Sequence, residues 1–326
     1  MHNFSYYENK KVIVTGGAGF IGSHLCEELV KIGANVLSLD DFSAGKEINI
    51  AFLRDYKNFT SAKKSITDTD GMDVLFEGVD TVFNNAASKK NVCLIDPKKD
   101  LRVNAEGIFN LLEFSMKHKV RKFVHASTGS VYGEPVIFPS TEEHPLRPVS
   151  YYGVSKLAGE RYVDVFYRLH GLDTTILRYF HVYGTRQESN EYGGVVSIFL
   201  RNILENKPLF IFGDGKQERS FTWVKDLVAA NLEAGINQKA TGKVYNAASG
   251  ISVTINELAE NMKNILKSPV DIIHDKPLIG DIMHFEVSNE NIMADLGITF
   301  EKDFWGTLQT SLNEFVDYLK KIGVKN

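Results

Sequence analysis

Val12-Ile13-Val14-Thr15-Gly16-Gly17-Ala18-Gly19-Phe20-Ile21-Gly22 joins a β-branched, apolar run to a helical pattern through a glycine corner. Val12 to Thr15 read as a buried strand, and His24, Leu25, Leu29 and Val30 carry the helix onward. The glycines answer a steric demand. A diphosphate reaches the backbone only where side chains are missing, and the helix N-terminus beside it offers N–H groups and a positive dipole end. A second strand, Asn35 to Leu39, ends on Asp40, eighteen residues after Gly22. There a carboxylate can accept both ribose hydroxyls of an adenosine. Strand, glycines, helix, strand and acid in this order predict a dinucleotide site, against the plainer reading of a structural turn and a surface aspartate. A 2′-phosphate would be repelled by Asp40, and the next residue is Asp41, not an arginine, so NAD is favoured over NADP. Asp41 itself reads as a turn residue.

Around this unit, strand-like runs alternate with helical patterns up to about residue 180. After Asp40 comes a polar stretch to Ser65, then a short helix near 70–77 and a strand at 81–83. A long amphipathic helix over roughly 100–117 presents Leu101, Ile108, Leu111, Leu112 and Phe114 as its apolar side. A strand at 122–126, a helix over about 150–170 and a strand at 174–178 follow. Such alternation implies an α/β fold, a doubly wound parallel sheet with helices on both faces and ligands at the carboxyl ends of its strands. Beyond Tyr179 the pattern is less regular, with a last helix at about 305–321. The expected division is a dinucleotide-binding domain over 1–179 and a smaller α/β substrate-binding lobe over 180–326, with interleaved segments packing as one body.

Composition narrows the function classes. Thirty-seven basic against 41 acidic residues give a net charge of −4, with no basic block longer than a Lys-Lys pair, so no nucleic-acid face is expected. No apolar run approaches the roughly 18 residues of a membrane span. Residues 1–10 lack a signal-peptide core, and the expected location is cytoplasmic. Cys26 and Cys93, the two cysteines, suggest neither a disulfide framework nor a metal site.

The chemistry gathers in two runs. Ser127-Thr128-Gly129-Ser130 follows the strand at 122–126, and Ser150-Tyr151-Tyr152-Gly153-Val154-Ser155-Lys156 stands roughly twenty residues on. On a helix Tyr152 and Lys156 share a face, whereas Tyr151 lies five residues from the lysine and fits poorly. An ammonium near a phenol favours the phenolate, so Tyr152 can act as a base nearer neutral pH. The Thr128 hydroxyl can hold the reacting oxygen. A Tyr-x-x-x-Lys pair alone usually means a packed tyrosine and a solvated lysine. After a dinucleotide corner and a strand-end hydroxyl cluster, it suits proton removal from an alcohol whose hydride leaves for a nicotinamide.

With these runs quoted, the chain resembles the extended short-chain dehydrogenase/reductase family, in its sugar-nucleotide epimerase/dehydratase branch, and looks most like UDP-glucose 4-epimerases. The likeness extends through Asn85-Ala86-Ala87, Asn104-Ala105-Glu106-Gly107, Arg178-Tyr179-Phe180-His181-Val182-Tyr183-Gly184, Phe212 to Arg219 and Gly280-Asp281. It implies a Rossmann-type sheet and a homodimer through the helices that hold Tyr152 and precede Lys117. Phe109, Phe166 and Tyr167 serve either that interface or the core. It also implies that Gly16, Gly19, Phe20, Ile21 and Gly22 cradle the NAD diphosphate and Asp40 holds the adenosine ribose. Ala86 would line the cofactor, Lys156 bond its nicotinamide ribose, and Tyr179 flank its ring. Thr128, Tyr152 and Lys156 would be catalytic, with Arg219 and His181 meeting the phosphates of a UDP-sugar. His181 stands where relatives carry asparagine, Leu278 where they carry a second arginine, and Ser65 where they carry an adenine-reading aspartate.

Several reactions of this branch begin with hydride removal at sugar C4. In the family, 4,6-dehydratases carry Asp-Glu directly after the catalytic threonine, and decarboxylases a glutamate two residues after it. Here those places hold Gly129 and Ser130, neither of which transfers a proton at neutral pH. Glycine there is also expected to leave room for a keto-sugar to turn over. The expected activity is therefore 4-epimerisation; the alternatives are dehydration, decarboxylation or keto-sugar reduction.

Overall fold

Runs such as Val12-Ile13-Val14 are apolar at every position because they lie between two layers of helices. Val12 and Val14 join one core cluster with Leu25, Leu29, Leu227 and Leu232. Ile13 points the other way, toward Val82, Ile108, Leu111, Leu112, Phe123 and Val163. Each such fully buried aliphatic side chain contributes roughly 1.5–3 kcal/mol.

The computed structural model describes residues 3–88, 90–189, 193–277 and 283–321. The first half contains β1 Lys11–Thr15, α1 Phe20–Ile32, β2 Asn35–Asp40, β3 Phe59–Lys63, α2 Met72–Phe76 and β4 Val79–Asn84. It continues through α3 Lys90–Ile95, α4 Pro97–Leu101, a π-helical turn Arg102–Glu106, α5 Gly107–Lys117, β5 Lys122–Thr128, α6 Tyr151–His170 and β6 Thr174–Tyr179. The second half holds β7 Val182–Tyr183, α7 Val195–Leu204, β8 Leu209–Phe212, β9 Glu218–Ser220, β10 Thr222–Trp223 and α8 Val224–Ile236. Its remaining elements are β11 Lys243–Ala247, β12 Ser252–Thr254, α9 Ile255–Ile265, β13 Ile272–Asp275, α10 Glu290–Leu296 and α11 Phe304–Lys321.

Seven parallel strands form the central sheet in the order β11-β6-β5-β4-β1-β2-β3. This is the Rossmann-type sheet expected. The strand order reverses between β1 and β4, which opens a crevice at their carboxyl ends. In the other half, Phe199, Leu200, Leu258, Met262, Leu308, Leu312 and Phe315 form a separate core.

Two local expectations fail. The polar stretch up to Ser65, in which no strand was expected, contains β3. That strand is at the sheet edge, with Thr60 and Ser61 exposed, so its composition is polar. The long helix expected over 100–117 is broken by the π turn at 102–106. The wider turn takes Leu101 out of line with Ile108, Leu111 and Leu112, and it is 56% exposed. No helix among the described residues is long and apolar enough to cross a membrane. Leu278 and Gly280-Asp281 lie outside the described residues.

Candidate active site

The glycine corner turns as its residues require. Gly16 has φ +63°, and a Cβ on it would stand 2.8 Å from the Ala86 nitrogen. A Cβ on Gly22 would strike the Gly16 carbonyl, so helix and loop meet backbone to backbone. No side chain caps α1, whose N-cap is Gly19, and its first N–H groups remain for a ligand.

These residues open on a cleft of about 270 Å³. It is lined by Gly16, Gly19, Phe20, Ile21, Gly22, Asp40, Ala86, Tyr152, Lys156 and Tyr179, so it brings together all the expected cofactor residues and two of the catalytic three. A larger cleft of about 980 Å³ between α1, α8 and α11 holds none of them.

Asp40 ends β2 and is buried. Its Oδ2 accepts from the Ala18 N–H at 2.9 Å and its Oδ1 from the Phe42 N–H at 2.8 Å. Burial raises its carboxyl above the usual range, and those two N–H groups oppose the rise. Asp41 accepts from the Ser43 N–H at 2.8 Å, the turn role expected of it. Ser65 pairs with Thr67 through their hydroxyls at 2.9 Å.

At the other end of the crevice, Ser150 caps α6 by accepting from the Gly153 N–H at 3.1 Å, which starts the helix one residue before Tyr152. One turn later Lys156, only 2% exposed, donates from Nζ to the Ala126 carbonyl at 2.6 Å. Thr128 pairs with Tyr179 in the register of β5 and β6, and its hydroxyl acts on the Tyr152 phenol to lower its pKa. The Thr128 hydroxyl also accepts from the Ser130 N–H at 3.2 Å. Tyr179 donates to Asn231 Oδ1 at 2.8 Å and Asn85 Oδ1 at 3.2 Å.

The protonation states differ from the expectation. Burial pushes the Tyr152 phenol up to about 12, and the Thr128 hydroxyl opposes it. Burial brings Lys156 down to about 8, with the Glu160 and Asp100 carboxylates holding it up. Desolvation thus outweighs the stabilisation of the phenolate expected from the lysine, whose ammonium is engaged by Ala126.

Gly129 also differs from its expected role. Its missing side chain faces the ring of Phe180, with Phe180 Cε1 2.5 Å from where a Cβ would stand. The space is packed, not open to a turning sugar.

His181 and Arg219 are not part of the cleft lining. His181 is exposed with φ +32°, its ring edge-on to Phe221 at 6.0 Å and Phe285 at 5.9 Å. Arg219 lies on β9 and donates from Nη1 to the Glu218 carbonyl at 2.7 Å.

Beneath the site is an ion pair that was not anticipated from the sequence. Arg178 grips Glu160 through Nε at 3.0 Å and Nη2 at 2.8 Å, both residues almost fully buried. Glu160 also accepts from the Ser127 hydroxyl at 2.5 Å, and Arg178 donates to the Tyr132 hydroxyl at 2.8 Å. The signal was an arginine inside the apolar strand 174–178. Phe166 proves to be a core residue, at 4% exposure.

A dinucleotide fits these residues. The glycine corner is a cradle that a Cβ would fill, and Asn85 Nδ2, beside the cleft, is a buried donor with no partner among the described residues.

Comparison with known proteins agrees. Residues 12–248 match the model of the NAD dependent epimerase/dehydratase family. The solved UDP-glucose 4-epimerase of Thermotoga maritima with UDP-glucose is 34% identical, with a TM-score of 0.89, covering 95% of this chain and 99% of that one. The UDP-glucuronic acid 4-epimerase of Bacillus cereus, solved with UDP-glucuronic acid and NAD, is 30% identical, with a TM-score of 0.87 and coverage of 96% and 99%. A UDP-N-acetyl-alpha-D-glucosaminuronate decarboxylase of Bacillus cytotoxicus is 35% identical over 277 residues, 81% of this chain and 83% of that protein. On these matches the cofactor of the family is NAD.

Proposed function

The chain belongs to the NAD dependent epimerase/dehydratase family, and from that premise we propose that it is a 4-epimerase acting on a UDP-sugar. One observation carries the choice of reaction. The two residues after Thr128 bear no carboxyl group, and the first of them is backed by the Phe180 ring, so no acid stands there for elimination or decarboxylation.

In this reading Tyr152 removes the proton of the sugar C4 hydroxyl. Thr128, whose hydroxyl acts on the phenol, holds the C4 oxygen at the same point. When bound, NAD supplies a hydride acceptor beside C4 and a positive ring that favours the phenolate. Lys156, one helical turn from Tyr152, would bond the nicotinamide ribose and supply an ammonium beside the phenol, and Tyr179 would flank the ring. Gly16, Gly19, Phe20, Ile21 and Gly22 receive the diphosphate, Asp40 the adenosine ribose, and Ala86 lines the site. Arg219 and His181 take the UDP phosphates. The 4-keto sugar would turn about that anchor to present its other face, where C4 would receive the hydride from the reduced cofactor and Tyr152 would return the proton to the C4 oxygen.

The same reading makes the chain a homodimer. Tyr151, Val154, Tyr162, Val165 and Leu169 are exposed apolar residues along α6, and a second copy would cover them. Light scattering on the purified protein tests this.

The reaction is tested by incubating the protein with a panel of UDP-sugars and following C4 configuration by NMR and absorbance at the NADH band. Epimerisation without net NADH change is expected. Loss of the C6 oxygen, release of carbon dioxide or stoichiometric NADH consumption would replace this reading with another reaction of the family.

A further inference from the structure

The loop after Asp40 folds back over the glycine corner and fixes one residue of it, Ala18, through the peptide groups on both its sides. The Ala18 N–H donates to Asp40 Oδ2 at 2.9 Å. The Ala18 carbonyl accepts from the Lys46 N–H at 3.0 Å and from Asn49 Nδ2 at 2.8 Å. Asn49 is only 3% exposed, and its own Oδ1 accepts from the Tyr318 hydroxyl at 2.6 Å.

Tyr318 comes from elsewhere in the molecule. It is on α11, which Phe304, Leu308, Leu312, Phe315 and Leu319 seat in the core of the second half. Tyr318 reaches out of that core to the cofactor side. The resulting series is Tyr318 hydroxyl, Asn49 amide, Ala18 backbone, Asp40 carboxylate. Every link in it is a hydrogen bond of 2.6–2.9 Å.

We propose that Tyr318 is a positioning residue for NAD, acting through Asn49 to hold the Ala18 backbone and, through it, the Asp40 carboxylate in their binding geometry. An Asn49 amide without its tyrosine has a buried acceptor left unmade, and it is freer to turn away from Ala18. Ala18 lies between Gly16 and Gly19, so a shift of its backbone would disturb both the diphosphate cradle and the carboxylate that meets the ribose. α11 thereby contributes to cofactor retention without touching the cofactor. The inference depends on NAD binding alone and holds whichever sugar reaction the chain performs.

The test is the exchange rate of bound NAD for isotopically labelled NAD in the full-length holoprotein. Tyr318→Phe removes only the hydroxyl, and exchange three- to tenfold faster is expected, the size of one net hydrogen bond. Asn49→Asp can accept from Tyr318 but cannot donate to Ala18, so it should speed exchange at least as much. The double variant should then be no faster than Asn49→Asp alone, because both changes break one series. Lys225→Ala is the control: it breaks the 2.6 Å tie between α8 and α11 through Glu314 and should leave exchange unchanged. Parent-like exchange in Tyr318→Phe would overturn the proposal. So would a Lys225→Ala effect as large as that of Tyr318→Phe, which would mean that any loosening of α11 suffices.

Discussion

The ring of Phe180 fills the place of a side chain at Gly129, with its Cε1 2.5 Å from the position a Cβ would take. The glycine is therefore a packing requirement of the Thr128 loop. An acid could enter there only by displacing an aromatic residue that also packs on Tyr132 and Phe285.

Gly129→Asp should accordingly lose stability by about 1–3 kcal/mol through overpacking. It should gain no dehydratase activity. Urea melts and mass analysis of products check both halves, and a 4-keto-6-deoxy product from this variant would contradict the packing argument.

Tyr152→Phe should lower turnover by roughly 10²–10⁴-fold, the usual share of a positioned acid–base group. With the Lys156 ammonium brought to about 8 by burial, activity that depends on it is present below that pH and is lost as pH rises through it. Lys156→Arg keeps its charge at all accessible pH. Its profile of kcat/KM should lack the alkaline fall; an unchanged limb would assign that limb to another group.

Asp40→Ala should weaken NAD binding roughly ten- to a hundredfold, since hydrogen bonds to a charged group are lost on both sides of the ribose site. It should also admit NADP by removing the repulsion of a 2′-phosphate. Calorimetric titration with both dinucleotides measures this, and an undiminished preference for NAD would refute the assignment of the ribose site.

His24 donates from Nε2 to the Thr185 carbonyl at 2.9 Å, and burial holds its pKa down at about 3. Unfolded, the same ring takes a proton near pH 6.5. Between those values the unfolded chain binds the extra proton, so stability falls as the solution is acidified, by roughly 2 kcal/mol at pH 5 from this residue. Buried His125 is lowered likewise, so His24→Gln should lessen the acid sensitivity of the urea midpoint without removing it. Equal loss in parent and variant between pH 7 and pH 5 would exclude His24 as a source.

Glu160→Gln should cost about 3–5 kcal/mol, because it strands the Arg178 guanidinium in the interior. Glu160→Gln combined with Arg178→Met should recover part of that loss. A double variant less stable than the sum of its single changes would show that the pair is not what holds this layer together.

The dinucleotide half was legible because its signals are local. Val12 to Gly22, Asp40 and Tyr152 to Lys156 each mark an element by spacing within a few turns or one strand–helix–strand unit. Where composition spoke for solvent exposure and not for backbone state, the reading failed: β3 is a polar edge strand, and Leu101 is apolar yet turned outward by the π turn beside it. The protonation of Tyr152 was misread for a related reason. The lysine spacing is visible in the chain, but the burial that dominates both pKa values is a property of the assembled cleft.

The amino-acid sequence by itself determined the parallel sheet, the glycine cradle with its carboxylate, and the helical face shared by Tyr152 and Lys156. These depend on backbone sterics and residue periodicity. Only the tertiary structure decided that Phe180 backs Gly129, that Glu160 clasps Arg178, and that Tyr318 meets Asn49 across 269 residues of chain. Such pairs form when separate elements pack, and no spacing along the chain encodes which distant side chains then come into reach.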